Sequence, residues 1–404
     1  MSYELLASRI GGRLWAALRE DGRTVELHAA PEGADEPRVE RIVKARITGE
    51  ARQVGALFAD VGGPSAALVD AKDLPQARPR LGSELVVQIR REGREGRGPR
   101  ASARPSLAGR RLVLLPDIER RAVSRRIEGD AERERLGRVI SALPATGGGW
   151  IARAAAAGAA ERVLREEAQR LQAQWSAARE RAGRRAAPTI VVEEPGLLEQ
   201  VLRDAPPEGF SRIVVDDERD RHAAQDWLRS HEPARLASLA FHAGRTPLFE
   251  ASGVDVDIER ALARRVELPS GGHLVIEETE ALVAVDVNTG AARGVRDDPQ
   301  ETYLSTNREA VREIALQLRL RGLGGIVVVD LIDLRGTTSR DVVIAELREA
   351  LRTDPARTRI AEVDSMGLLA LVRETTRPGI ASRVTLPCAA CRGSGKVRGQ
   401  VRER

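Results

Sequence analysis

Across residues 1–30 apolar side chains come in short runs, 14–18 and 25–27, and then give way to a polar, proline-containing stretch at 30–37. A period of two puts successive side chains on opposite faces of a strand, so this segment predicts a small strand hairpin and a linker. Short β-rich runs follow at 41–47, 54–61, 66–69 and 84–89, separated by Gly/Pro turns, and strands of that length and spacing predict a small barrel. Within 161–181, Leu164, Ala168, Leu171, Trp175 and Ala178 recur at three- and four-residue steps, the signature of a long amphipathic helix. Strand-like 189–193 and 211–216 alternate with helical stretches and imply an α/β layer. Further on, 266–287 reads as a hairpin through Ser270-Gly271-Gly272, and 303–321 as a helix with Leu304, Val311, Ile314, Ala315 and Leu318 on one face and Gly322 as its stop. Residues 326–334 read as a buried strand and 339–352 as another helix, while the tail after Gly395 reads as disordered.

At 404 residues the chain is long enough for two to four compact units, and no internal repeat is visible. Lys plus Arg total 65 against 60 for Asp plus Glu, a formal net charge of +5, and nearly all the positive charge is arginine. Arginine's planar fork suits phosphate, so this surface fits a polyanionic partner; an Ala/Arg/Gly-rich coding bias gives the same totals. Positive charge is densest at 90–104, where Arg90, Arg91, Arg94, Arg97, Arg100 and Arg104 sit among glycines, which reads as a mobile basic loop or a merely solvated linker. There is no run of about eighteen apolar residues that would span a membrane. Residues 1–10 include Glu4 and lack a basic segment followed by an apolar core, so no secretory signal is visible. With Cys388 and Cys391 as the only cysteines, a disulfide framework is excluded and a reducing cytoplasm fits.

Candidate chemistry lies in two apolar strands that an aspartate interrupts, Val285-Asp286-Val287-Asn288 and Val328-Val329-Asp330-Leu331. A buried lone carboxylate costs several kcal/mol unless it is paired or bound to a cation. Side by side in a sheet, Asp286 and Asp330 would make an oxygen-rich site suited to magnesium, with Asn288 on the same strand face as Asp286. Spacing alone leaves open that each aspartate caps a turn or a following helix.

These segments belong to a longer colinear series: Leu268-Pro269-Ser270-Gly271-Gly272, Thr279-Glu280-Ala281-Leu282, Val285-Asp286-Val287-Asn288, then Gln317-Leu318-Arg319-Leu320-Arg321-Gly322-Leu323-Gly324-Gly325 running into Asp330. The series closely resembles the ribonuclease E/G family. The likeness continues through Asp333, Asp354-Pro355-Ala356-Arg357, Met366-Gly367-Leu368-Leu369 and Cys388-Ala389-Ala390-Cys391-Arg392-Gly393-Ser394-Gly395, with weaker echoes at 106–109 and 124–130.

The resemblance implies an α+β multidomain chain. Its parts would be an RNase H-like platform assembled from 1–37 and 200–262, an OB-fold RNA-binding barrel at 38–103, a 5′-sensor region at 104–199, a DNase I-like catalytic domain at 263–384, a zinc-link at 385–396 and a disordered tail at 397–404. It implies endonucleolytic hydrolysis of single-stranded RNA in rRNA and mRNA processing and decay, leaving a 5′-phosphate and a 3′-hydroxyl. Asp286 and Asp330 match the family's metal-binding aspartates and Asn288 the asparagine beside them. Gly109, Val113, Arg153 and Arg357 match a pocket for a 5′-monophosphate, and Phe58 and Arg97 fall where the barrel contacts RNA. The chain departs from the family at Ala154, where a threonine hydroxyl usually touches the terminal phosphate, at Leu68, which replaces a barrel aromatic, and at Ala389, which replaces a proline.

Two cysteines supply half of a tetrahedral zinc site, and none of His28, His222, His231, His242 or His273 lies near them in sequence. The resemblance implies that a second chain completes the site, joining a homodimer through one shared zinc; two free thiols are the plainer alternative. Because the family's small carboxyl-terminal domain does not follow, association is expected to stop at two chains. A noncatalytic RNA-binding protein on the same scaffold is the rival reading, and the intact Asp286, Asn288 and Asp330 favour the enzyme.

Overall fold

The computed structural model describes residues 2–31, 38–75, 78–93, 98–144, 148–290, 299–334, 336–361, 364, 367–386 and 388–391. Arg94, Arg97, Met366 and the tail after Gly395 lie outside them. The chain is a mixed α+β protein with a five-stranded barrel and several further sheets. It divides into two compact units: Met1–Pro31, Ser211–Glu218 and Ala240–Arg404 form one, Glu32–Phe210 and Arg219–Leu239 the other. No helix among the described residues is long and apolar enough to cross a membrane.

In the second unit the barrel closes because one long strand, Ile42–Ala51, pairs with both Glu84–Arg91 and Ala56–Asp60. Ala67–Val69 and Arg100–Ser102 complete the ring, with Leu68 opposite Arg100 in a parallel register. Its interior is filled by the inward members of the alternation, among them Val43, Ala45, Ile47, Val87 and Ile89. The predicted barrel is therefore present, but its closing strand lies inside the segment read as a basic loop. Three residues, Arg-Ala-Ser, are too short to show a period. The long helix is Glu161–Arg184, and it packs with Asp130–Ala142 on a four-stranded sheet around the fully buried Trp150.

In the first unit, Tyr3–Ile10, Arg13–Glu20 and Arg23–Ala29 form an antiparallel meander, not the single hairpin expected. Tyr3–Ile10 is buried along most of its length, and its few polar residues, Glu4, Ser8 and Arg9, do not form the regular alternation that marks a strand. Arg212–Val215 joins it in parallel, whereas Thr189–Val192 adds to the edge of the barrel strand. The two strands expected in one α/β layer thus belong to different sheets.

The other sheet of this unit runs in the order Arg265–Glu267, His273–Glu278, Val283–Asn288, Gly325–Asp330, Leu368–Arg373, Thr358–Ile360. Ser270-Gly271-Gly272 joins only the first two strands, so the expected hairpin is in fact three strands. Val283, Val285 and Val287, with Val327 and Val329, face a core that the helices Pro299–Arg321 and Thr337–Ala350 cover. The alternate residues face outward, and Ile326 and Val372 are about half exposed there.

One buried ion pair locks the far edge of this sheet. Arg373 meets Asp354 through two bonds, Nε to Oδ2 at 2.7 Å and Nη2 to Oδ1 at 2.8 Å, with each side chain only 3% exposed. Asp354 Oδ1 also accepts the backbone N–H of Ala356 at 2.9 Å, so the carboxylate fixes the turn that leads to Arg357. Removing one member strands a buried charge, at a cost of about 3–5 kcal/mol, while removing both costs less. Asp354→Ala is therefore expected to lose about that much in urea unfolding, and the Asp354→Leu/Arg373→Met pair clearly less; a loss below about 1 kcal/mol for the single change refutes the assignment.

Candidate active site

Val283–Asn288 and Gly325–Asp330 run parallel, and their register sets Asp286 directly beside Asp330. Both side chains lie on the open face of the sheet and are exposed, which corrects the expectation of buried carboxylates. Alternation explains it, since the valines on either side point to the core. What calls for a partner is instead the mutual repulsion of two carboxylates on strands about 4.8 Å apart, on the order of 1 kcal/mol even in a water-like medium. Among the described residues Asp330 meets no donor, and Asp286 accepts only Asn288 Nδ2 on Oδ2 at 2.9 Å. Neither caps a turn or helix, so that alternative falls away.

Magnesium is commonly held by one or two carboxylates while keeping several waters, and an exposed pair in register fits that habit. No group of three or more His, Cys, Asp or Glu side chains that could enclose a metal occurs among the described residues. The donor set thus suits a hydrated hard cation more than a cation wrapped in protein ligands.

Backbone packing explains the glycines nearby. Any side chain at Gly272 would strike the carbonyl of Asn288 at 2.7 Å, and one at Gly290, held at φ +53°, would strike that of Gly271 at 2.6 Å. The Ser270-Gly271-Gly272 turn and the Thr289-Gly290 step therefore rest backbone on backbone at the end of the Asp286 strand.

Two residues of this region escape a reading by sequence. His273 stands opposite Asn288 in the antiparallel register, on the open face, and its buried Nδ1 has no hydrogen-bond partner. Asn307, fully buried on the helix Pro299–Arg321, donates Nδ2 to the carbonyl of Ile332 at 2.8 Å and accepts the Ile332 N–H on Oδ1 at 3.1 Å. This two-way bond pins the backbone two residues beyond Asp330. An asparagine in a helical stretch gives no warning of it.

The remaining expected residues fall in different places. Gly109, Val113 and Arg153 come together: Val113 pairs with Ala108 and Ile151, and Arg153 Nη1 donates to the Gly109 carbonyl at 2.6 Å. A side chain at Gly109 would collide with the carboxylate of Glu167, which accepts the N–H groups of Arg111 and Leu112. Arg153 is already engaged, since Nη2 donates to Asp204 Oδ1 at 2.6 Å. Asp204 is held in turn by Arg203; desolvation opposes its ionisation, yet Arg203 and Arg153 together lower its pKa to about 2. Arg357 is exposed in the first unit, whereas the other three belong to the second.

Phe58 is 39% exposed on its barrel strand, opposite the half-buried Leu68 and packed over Gly49; Arg97 lies outside the described residues. Cys388 and Cys391 are both free. The N–H groups of Cys391 and Ala390, and then the Cys391 thiol, hold the Cys388 thiol below the usual range.

Comparison with known proteins places this geometry in a lineage. The model of the "Ribonuclease E/G family" matches residues 106–376, which includes both aspartate strands. Ribonuclease G of Escherichia coli K12 is 34% identical, over 98% of this chain and 85% of that protein. Ribonuclease G of Haemophilus influenzae is 32% identical, over 98% and 84%. Ribonuclease E of Escherichia coli K12 is 33% identical over 95% of this chain, though that stretch is only 38% of the larger protein. Family match and relatives together span nearly every residue described above, and the chain belongs to the ribonuclease E/G family.

Proposed function

We propose that this protein is an endoribonuclease that hydrolyses single-stranded RNA, with Asp286 and Asp330 holding magnesium and Asn288 orienting the Asp286 carboxylate. The in-register aspartate pair on an open, accessible face carries this reading, because a module that only bound RNA would gain nothing from two carboxylates that repel phosphate. Magnesium at that position would supply a nucleophilic water at neutral pH and offset charge that builds on the phosphodiester, leaving a 5′-phosphate and a 3′-hydroxyl. Asn307 fixes the backbone beyond Asp330 and so limits how far that carboxylate drifts from its neighbour. In the same reading the sheet with Asp286 is a DNase I-like catalytic region and the five-stranded barrel an OB fold that presents Phe58 for base stacking. The region around Arg153 is a 5′-end sensor, and the sheet that joins residues 3–29 to 212–215 is an RNase H-like platform.

Loss of a metal ligand removes transition-state stabilisation, whereas ground-state affinity for RNA comes mainly from arginine contacts to phosphate. Asp286→Asn and Asp330→Asn are each expected to lower turnover on a short A/U-rich oligoribonucleotide by roughly a hundredfold or more while affinity stays within a few-fold. Retention of more than about a tenth of the wild-type rate in saturating magnesium would falsify the assignment.

A terminal phosphate at Arg153 has to compete with Asp204, and Ala154 offers no hydroxyl to help. The 5′-monophosphate is therefore expected to speed cleavage over a 5′-hydroxyl only modestly. Arg153→Ala should erase that ratio, and Asp204→Asn, by freeing one side of the guanidinium, should enlarge it. An unchanged ratio in Asp204→Asn shows that the carboxylate does not compete.

Cys388 and Cys391 are proposed to bind one zinc together with the same pair from a second chain, which makes the active form a homodimer. The convergence of N–H groups on the Cys388 sulfur supports a stabilised thiolate. Metal analysis should find one zinc for two chains, and Cys388→Ser/Cys391→Ser should yield monomers by light scattering with reduced cleavage. A zinc-free, fully active monomer rules the link out.

A further inference from the structure

The barrel strand Ile42–Ala51 changes partners along one of its edges. Thr189–Val192 pairs with it at Ile42 to Lys44, and Ala56–Asp60 takes over from Arg46 onward. Where these partners part, a cavity of about 520 Å³ opens, entirely within the second unit. Three arginines line it: Arg41 from the strand's start, and Arg181 and Arg185 from the end of the helix Glu161–Arg184 and the residue after it. Val61, Pro188 and Ile190 form an apolar wall.

Formal charge in the lining is three arginines against Glu193 alone. Glu194 neutralises Arg41 through bonds of 2.6 and 2.9 Å, which still leaves the pocket positive by one. Arg181 spends one nitrogen, Nη1, on the Val191 carbonyl at 2.8 Å. Arg185 is exposed, and its guanidinium meets no acceptor among the described residues, although its carbonyl accepts Lys44 Nζ at 2.9 Å. The pocket thus offers unspent planar donors beside an apolar wall, the combination that takes a phosphate together with its sugar.

It also lies a short way along the chain from the exposed Phe58 of the barrel. Val61 and Gly62 follow directly from the strand that bears Phe58, so Gly62 stands at most about 13 Å from Phe58 along the chain. Asp60, two residues from Phe58, pairs across to Arg46, and Lys44 is two residues further toward the pocket. Both cations are shared with Glu84, and neither fills the cavity.

We infer that this cavity is a phosphate-binding pocket for the backbone of an RNA strand that also passes Phe58, a site that rests on the reading of the protein as an RNA-binding enzyme. Free phosphate presents the same chemistry, and the test separates the two sources. The whole chain is titrated with a fluorescent oligoribonucleotide without added magnesium, which prevents turnover and leaves the proposed zinc in place, and anisotropy is read across a salt series. For single strands each neutralised phosphate adds about 0.7 to the slope of log affinity on log salt, so Arg185→Ala should flatten the slope by about 0.7 and weaken binding roughly fivefold at 0.1 M salt. Arg185→Lys should recover part of both, and millimolar inorganic phosphate should weaken the wild type more than Arg185→Ala. If the wild type binds RNA and Arg185→Ala matches it in slope and affinity, the pocket is overturned while the enzyme reading stands. Calorimetric phosphate binding that Arg185→Ala abolishes, with RNA affinity unmoved, assigns the cavity to free phosphate and overturns the strand. No RNA binding by the wild type fails both readings.

Discussion

From Glu313 to its end the helix Pro299–Arg321 is buried around nearly its whole circumference, and the first unit is arranged to satisfy the polar groups this hides. Val311, Ile314 and Leu318 pack on the sheet that bears the aspartates. Elsewhere on the helix, Arg319 reaches Glu20 at 2.8 Å and Glu26 at 2.9 Å on the amino-terminal meander. Glu313 accepts from Arg23, Arg260 and Gln317. Arg321 donates to Gln317 and to the Arg260 carbonyl; burial pushes its pKa down to about 10. Burial alone would raise Glu26, but the His28 bond and the charges of Arg319 and Arg377 bring it well below the usual carboxylate range. A buried charge left without its partner costs several kcal/mol, so each member of this network constrains the position of the others. The alternating Leu318-Arg319-Leu320-Arg321 run is therefore structural: leucines seal two cores and arginines tie the helix to its neighbours.

That anchoring decides what the aspartate sheet can present. With one face sealed by two helices, the other carries whatever the period of two leaves over, and the same register that buries Val285 and Val329 lines up Asp286 and Asp330 outside. A slip of one residue in either strand would drive a carboxylate into the core. Hydrophobic packing thus sets the carboxylate spacing to the width of one strand pair, and Asn307 extends the restraint into the loop beyond. The open face keeps the pair wet, which suits a cation that holds most of its own water.

Legibility in the sequence follows the range of each interaction. Local periodicity revealed the long helices and most barrel strands, because burial on one side writes a pattern within a few residues. It failed for Tyr3–Ile10, buried on both faces, and for the three-residue strand at Arg100–Ser102, which lies among arginines. Thr189–Val192 and Arg212–Val215 look alike as isolated strands, and only pairing with Ile42–Lys44 or Glu4–Ala7 tells them apart. The aspartates were legible as a break in an apolar run, though the inferred burial was wrong, since an isolated strand does not say which face is covered. His273 joins the site through a register partner fifteen positions away, and Asp204 reaches Arg153 across an even longer separation.

Arginine content shows why composition could not choose between a polyanionic partner and coding bias. Arg110 is sealed against the carbonyls of Ala205 and Pro206, Arg203 is taken by Glu40 and Asp204, and Arg319 and Arg373 are closed in ion pairs. Arginine suits such sites because its weakly hydrated fork satisfies several acceptors at once and keeps its charge when buried. These residues hold the scaffold, and their charge is spent on internal acceptors. Total charge therefore overstates the surface open to phosphate, because it counts guanidinium groups already committed inside the scaffold together with exposed ones such as those of Arg185 and Arg357. Because part of the arginine count is locked inside the scaffold, the salt dependence of binding follows where each exposed group sits and not the total.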